Sequence, residues 1–262
     1  MIKLIATDMD GTLLDANGNV PKSFFSTLDL LNKKNIKFVV ASGRPYATLY
    51  ENFQPISDSL DYICDNGAFV VMDGKTQISV MDPIIVSNII DTVEKIDNAE
   101  VILCGTKGSY HKKIKSEFQE EINKYYIQDH IVDDLHNIDD DIFKVTICDL
   151  SNPKNNSFDK INSKFGQSLM VVISGQVWID ITNKDVNKGI ALKSIQDNEK
   201  ISKKETMVFG DFYNDIPMLK RAHFSFVMEN ANEDMKKHGN YIAKKNTEEG
   251  VISAIKEYVL DN

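Results

Sequence analysis

Four short runs along the chain are almost wholly apolar, and each stops abruptly at a polar cluster. They are Ile2–Thr7, Ile36–Ala41, Tyr62–Cys64 and Thr206–Phe209. A run of that length with no polar alternation reads as a strand covered on both faces. Helical spacing follows at Ser23–Lys34, Pro45–Phe53, Lys188–Asp197 and Asn214–Arg221. Further strand and helix signals follow at Phe224–Val227, Ala231–His238, Tyr241–Ala243 and Glu248–Leu260. Strands alternating with helices need crossovers, and crossovers make a parallel sheet.

The stretch between these halves has another texture. Helical patterns at Val86–Ile96, Ser116–Tyr126 and Phe158–Phe165 mix with strand patterns at Glu100–Cys104 and Phe143–Leu150. Leu169–Ile173 and Val177–Thr182 form two alternating strands around Ser174-Gly175-Gln176. One polar face per strand implies an antiparallel sheet that is partly solvated. The expected architecture is α/β: a Rossmann-like parallel-sheet core over residues 1–82 and 184–262, with an inserted α+β cap domain over residues 83–183.

In an open parallel sheet, ligands bind beyond the carboxyl ends of the strands. The first strand is followed by Asp8, Asp10 and Thr12, and the second by Ser42, Gly43 and Arg44. The third is followed by Asp65-Asn66-Gly67, and the strand after the insertion by Asp211, Asn214 and Asp215. Acids brought that close repel one another and are costly to desolvate. A hard divalent cation resolves the conflict, and Mg²⁺ takes carboxylate, water and phosphate oxygens. Alternation in an extended segment points Asp8 and Asp10 the same way while Met9 turns inward. One carboxylate then faces the substrate beside the metal, and the other moves protons. Lys188, opening a helix in "NKGIAL", is the best candidate for the remaining positive charge, helped by Ser42.

The 262 residues carry a net charge of −9, which disfavours long nucleic acids and anionic membranes as partners. A small anionic substrate fits better, because a local cationic pocket can exist on an acidic protein. Cys64, Cys104 and Cys148 are widely spaced and read as buried small hydrophobes. The five histidines lack metal-ligand spacing, and Trp178 reads as packing in the cap. The start of the chain is too soon charged for a signal peptide, and no apolar run is long enough to span a membrane. A cytoplasmic protein is expected.

"DMDGTLL" at Asp8–Leu14 resembles the first motif of the haloacid dehalogenase superfamily. "SGRP" at Ser42–Pro45, "NKG" at Asn187–Gly189 and "GDFYNDIPML" at Gly210–Leu219 resemble its second, third and fourth motifs. Their order and spacing, with "DNGA" at Asp65–Ala68, are similar to the Cof-type branch, whose α/β cap follows the third core strand. The resemblance implies a Mg²⁺-dependent phosphatase of small phosphorylated metabolites, such as sugar phosphates. Asp8 is then the nucleophile and a metal ligand. Asp10 is the general acid/base and gives its backbone carbonyl to the metal. Asp211 ligates the metal and Asp215 supports the site. Thr12, Ser42, Gly43, Arg44, Lys188 and Asn214 form the phosphate and substrate set, with Arg44 either a substrate contact or a structural ion pair. Glu229 stands where the family usually has glycine. Cap loops at Gly105–His111 and Ser174–Trp178 are expected to set specificity, through positions such as Tyr110 or Gln176. A phosphomutase or phosphotransferase would use the same core, and a non-catalytic metabolite-binding regulator is the other class left open.

Overall fold

The computed structural model describes residues 1–261. In chain order the first elements are β1 (Leu4–Asp8), α1 (Lys22–Lys33), β2 (Lys37–Ala41), α2 (Tyr46–Asn52), β3 (Asp61–Cys64), β4 (Phe69–Met72) and β5 (Lys75–Ile78). Then come α3 (Pro83–Val93), β6 (Ala99–Gly105), β7 (Gly108–His111), α4 (Ser116–Ile122), β8 (Asp129–Ile131), β9 (Ile142–Asp149), α5 (Phe158–Phe165), β10 (Leu169–Ile173) and β11 (Trp178–Asn183). The chain finishes with α6 (Lys188–Glu199), β12 (Thr206–Gly210), α7 (Ile216–Leu219), β13 (Phe224–Met228), β14 (Tyr241–Ala243) and α8 (Gly250–Ile255).

Two compact units result, one of residues Met1–Gln77 with the chain from Asn187 onward, the other Ile78–Val186. The first is built on an eight-stranded sheet ordered β14-β13-β12-β1-β2-β3-β4-β5. Strands β14, β13, β12, β1, β2 and β3 pair in parallel with one another, and β4 returns antiparallel to β3. Leu4, Ile5 and Ala6 are fully buried, which is why β1 carries no alternation. The chain steps from β1 to β2 in one direction and from β12 to β13 in the other, so strand order reverses between β1 and β12. A crevice opens at such a reversal.

The second unit has a six-stranded sheet ordered β10-β11-β9-β6-β7-β8. Its alternation sorts residues between two packings. Ile89, Ile90, Val93 and Ile161 from α3 and α5 cover Val101, Val145, Ile147, Ile179 and Ile181. Phe118 and Ile122 of α4 pack against Ile102, Cys148 and Trp178. Asp82 caps α3 by accepting from the Ile84 N–H at 2.8 Å, with Pro83 in the first turn.

Several elements depart from the sequence reading. Strands β7 and β8 are absent from it, because their polar residues carry no apolar signal and neighbouring strands impose their extended form. The helix expected over Asn214–Arg221 is only Ile216–Leu219, because the Asp215 side chain binds the preceding turn. The helix expected over Ala231–His238 reduces to one turn at Lys236–His238. Asn230 turns aside there, donating to Gly11 O and accepting from Asn246 N–H. Among the described residues, no helix is long and apolar enough to cross a membrane.

Candidate active site

Asp8 ends β1 and the loop after β12 carries Asp211, so the two acids leave adjacent strands at the reversal point. One carboxylate oxygen from each of Asp8, Asp211 and Asp215 lies within 4.8 Å of the others. Asp215 is completely buried, and its Oδ2 accepts from the Asp211 and Phe212 N–H groups at 3.0 and 3.1 Å. Its Oδ1 accepts from Lys188 Nζ at 2.7 Å, and the same ammonium donates to Asp8 Oδ1 at 2.5 Å. Lys188 is itself fully buried as the first residue of α6. Asn187 caps that helix by accepting from the Ile190 N–H at 2.9 Å. A Cβ on Gly189 would meet Pro217 O at 2.3 Å, so only glycine lets α6 lie this close to α7.

One ammonium faces three carboxylates, and the electrostatics show the imbalance. Burial, then repulsion from Asp215, pushes Asp8 up to about 8, with Lys188 only partly offsetting them. Burial and Asp215 push Asp211 up to about 6. Burial works against the charged form of Lys188, but Asp215 and Asp8 outweigh it and hold the ammonium above its ordinary range. A donor set of clustered carboxylate oxygens suits a hard divalent cation. Such an ion would supply the missing positive charge, so the residues fit one.

Other expected site residues fall around this cluster. Thr12 does not present a free hydroxyl to a phosphate, because it donates to Asp211 Oδ1 at 3.1 Å. Gly11 takes a positive φ of 78°, and a Cβ there would meet Asp211 Oδ2 at 2.3 Å. The turn Met9–Leu13 thus lies directly against Asp211. Asp10 does not point with Asp8, as strand alternation suggested. The chain leaves the extended form after Asp8, Met9 is buried, and the Asp10 carboxylate reaches the exposed rim. There Arg44 grips it, Nε to Oδ2 at 2.9 Å and Nη2 to Oδ1 at 2.6 Å. The three-carboxylate cluster therefore excludes the Asp10 side chain. Arg44 is an ion-pair residue here.

Ser42 is buried, with its Oγ accepting from the Arg44 N–H at 3.1 Å. Gly43 lies against Asn66, whose Oδ1 accepts from Asn214 Nδ2 at 2.9 Å. The Asn66–Asn214 pair joins the loops after β3 and β12, a link the sequence did not disclose. Glu229 has no positive φ among the described residues, so its position makes no demand for glycine. In the other unit, Tyr110 is buried, donates to Asp140 at 2.9 Å and stacks on His130. Tyr110 therefore ties β7 to the loop that holds Asp140.

Residues 5–255 match the model of a family described as haloacid dehalogenase-like hydrolase. The chain is 32% identical to the 5-amino-6-(5-phospho-D-ribitylamino)uracil phosphatase YbjI of Escherichia coli K12, over 97% of this chain and 95% of that protein. It is 25% identical to the YitU protein of Bacillus subtilis 168, which carries the same activity in its name, over 97% of each chain. Among solved structures, SMU.1108c of Streptococcus mutans UA159 is 32% identical and superposes with a TM-score of 0.85, over 99% of this chain and 100% of that one.

Proposed function

The chain belongs to the haloacid dehalogenase-like hydrolases of the Cof type, and we propose that it is a Mg²⁺-dependent phosphatase of small metabolites that carries the phosphoryl group on Asp8 in passing. The observation that carries this reading is the meeting of Asp8, Asp211 and Asp215 around Lys188. Mg²⁺, held by Asp8, Asp211 and the Asp10 carbonyl with Asp215 in support, would lend the charge that lets an anion approach a carboxylate.

Asp8 Oδ attacks phosphorus, and the bond from phosphorus to the leaving oxygen breaks. Asp10 gives its proton to that oxygen. Asp10 then takes a proton from water, the water oxygen attacks phosphorus, and Asp8 is released as carboxylate. Lys188 stays beside Asp8 throughout and offsets charge that builds on the phosphoryl oxygens. The Ser42 N–H is already given to Ile63 O at 2.8 Å, so that residue has only its hydroxyl to offer the same oxygens.

The two curated relatives act, by their names, on a ribityl phosphate attached to a uracil ring. That compound belongs in the test panel beside sugar phosphates. The test is phosphate release across the panel with Mg²⁺ and with excess chelator. Release confined to the Mg²⁺ samples supports the reading, and undiminished release in chelator removes the metal from it.

A further inference from the structure

The turn that carries Asp10 is held by two asparagines that the reaction above does not use. Asn230 Nδ2 donates to Gly11 O at 2.8 Å, and Asn246 Nδ2 donates to Leu14 O at 2.9 Å. Between them, Asn230 Oδ1 accepts from the Asn246 N–H at 3.0 Å. The three bonds run without a break from Gly11 to Leu14. Asn230 follows β13 and Asn246 follows β14, and β12 stands between β13 and β1 in the sheet. Two loops thus reach past the end of β12 to hold the loop after β1.

Both loops are themselves fixed. The Glu229 N–H donates to Ala243 O at 2.9 Å, which carries the β13–β14 ladder one residue past Met228. The Ala231 N–H then donates back to Met228 O at 3.0 Å, closing a turn that contains Asn230. Asn246 opens the single turn Asn246–Glu248, and the Gly250 N–H closes it by donating to Lys245 O at 3.1 Å. Asn230 is exposed, so burial does not account for its residue type. An amide serves both of its contacts, where a carboxylate lacks the donor and an ammonium lacks the acceptor.

We propose that Asn230 and Asn246 are positioning residues that clasp the turn after β1 and so set where Asp10 and Thr12 stand beside Asp211. The inference rests on the phosphatase reading for what Asp10 does there. Gly11 gives the clasp its purpose. Its φ is 78°, and glycine has more backbone freedom to lose than any other residue. Its two neighbours reach different partners, Asp10 the Arg44 guanidinium and Thr12 the Asp211 carboxylate. Gly11 O belongs to the peptide that joins Gly11 to Thr12, so a donor on that oxygen fixes how the chain passes from one to the other. A small displacement of a reacting group costs rate more than binding.

The test uses Asn230→Ala, Asn246→Ala and the double variant, with Asn230→Ala also made in Asp10→Asn protein. The substrates are an aryl and an alkyl phosphate in Mg²⁺. Asn230→Ala should lower kcat on the alkyl phosphate about tenfold and leave KM within about twofold, because alignment is lost and binding is not. The double variant should lose little more than either single one, since both asparagines serve one turn. In Asp10→Asn protein the group being placed is gone, so Asn230→Ala should leave the phenol burst from the aryl phosphate unchanged. An unchanged kcat in Asn230→Ala overturns the clasp. So does a loss that persists in the Asp10→Asn background, or one that merely tracks a fall in melting temperature. Amide exchange gives a readout free of activity. The Leu14 N–H, bonded to Met9 O at 2.9 Å, should exchange about tenfold faster in Asn230→Ala and Asn246→Ala at a near-wild-type melting temperature. Equal protection in wild type and variants sinks the clasp. If the wild type hydrolyses neither phosphate, the phosphatase reading fails and the clasp is judged on exchange alone.

Discussion

Lys188 Nζ stands 2.5 Å from Asp8 Oδ1, with the lysine entirely buried and the aspartate side chain 10% exposed. A buried pair like this is costly to desolvate and worse to break, because the surviving charge is left uncompensated. Asp215 on the other side of the ammonium makes Lys188 the shared counter-charge of two acids.

Removing that charge should therefore be felt twice. Lys188→Ala is expected to lower kcat/KM by about 10²-fold or more, as loss of a preorganised donor at developing charge does. It should also lower the melting temperature in the absence of metal, because Asp8 and Asp215 then face each other unscreened. Steady-state kinetics and a thermal melt check both. Activity within a few-fold of wild type would remove Lys188 from the mechanism.

The stability of the metal-free protein should fall as pH rises. Asp8 and Asp211 sit at about 8 and about 6 in the fold, against an ordinary 3.8. A carboxyl with a raised value binds more protons folded than unfolded, so its contribution is fully present below about pH 4 and is lost as pH climbs to the folded value. The window runs from about pH 4 to 6 for Asp211 and up to about 8 for Asp8. Mg²⁺ binds the ionised forms, so the rise in melting temperature it produces should grow over the same range. Melts from pH 5 to 8, with and without Mg²⁺, test this, and a metal-induced shift that shrinks with pH contradicts it.

Asp8→Asn is expected to abolish turnover while leaving the fold intact, since an amide does not attack phosphorus. Intact-protein mass spectrometry after a rapid quench should find the added phosphoryl mass on wild type and none on the variant. Near-normal activity in Asp8→Asn would end the proposal that Asp8 carries the phosphoryl group.

Gly189→Ala should destabilise the first unit without touching any charged group. The new Cβ would lie 2.3 Å from Pro217 O, which is backbone and cannot rotate away. Overpacking of this kind typically costs about 1–3 kcal/mol. The melting temperature should fall by several degrees, and an unchanged melt would mean that α6 lies further from α7.

Much of this candidate site is legible in the sequence. Asp8, Ser42 and Asp211 each follow an apolar run, and a parallel sheet obliges the ends of such runs to converge. What the pattern could not carry was the direction of side chains once the chain leaves a strand. Asp8 and Asp10 are two apart, yet the turn at Met9–Leu13 sends one inward and the other to Arg44. The resemblance puts Thr12 among the phosphate contacts, and its hydroxyl instead donates to Asp211, a partner remote in sequence. The Asn66–Asn214 bridge has the same origin. Strands β7 and β8 were silent because pairing, not composition, makes them extended. Phe212 and Tyr213 stand exposed in the loop between Asp211 and Asp215, where no apolar run signals an element that would bury them.

The Arg44 grip on Asp10 gives the last expectation, because the two proposed half-reactions would use Asp10 differently. In the first, Asp10 must deliver a proton to the departing oxygen. An aryl phosphate with an acidic phenol leaves without that help. In the second, Asp10 must take a proton from the attacking water, and no leaving group can compensate there. General acid–base help is worth about 10²–10⁴-fold. Asp10→Asn should therefore accumulate phosphoenzyme and show a burst near one phenol per active site, followed by slow turnover. An alkyl phosphate should show no burst, because its first step is slowed as well. Arg44→Ala leaves the carboxylate in place but frees it from its bidentate partner. It should slow both half-reactions less than Asp10→Asn does, and without a clear burst, since acid and base roles lose orientation together. Rapid mixing of both variants with both substrates separates these outcomes. Equal, burst-free slowing of aryl and alkyl phosphates in Asp10→Asn would show that Asp10 is not the base, provided a Mg²⁺ titration finds the metal affinity unchanged.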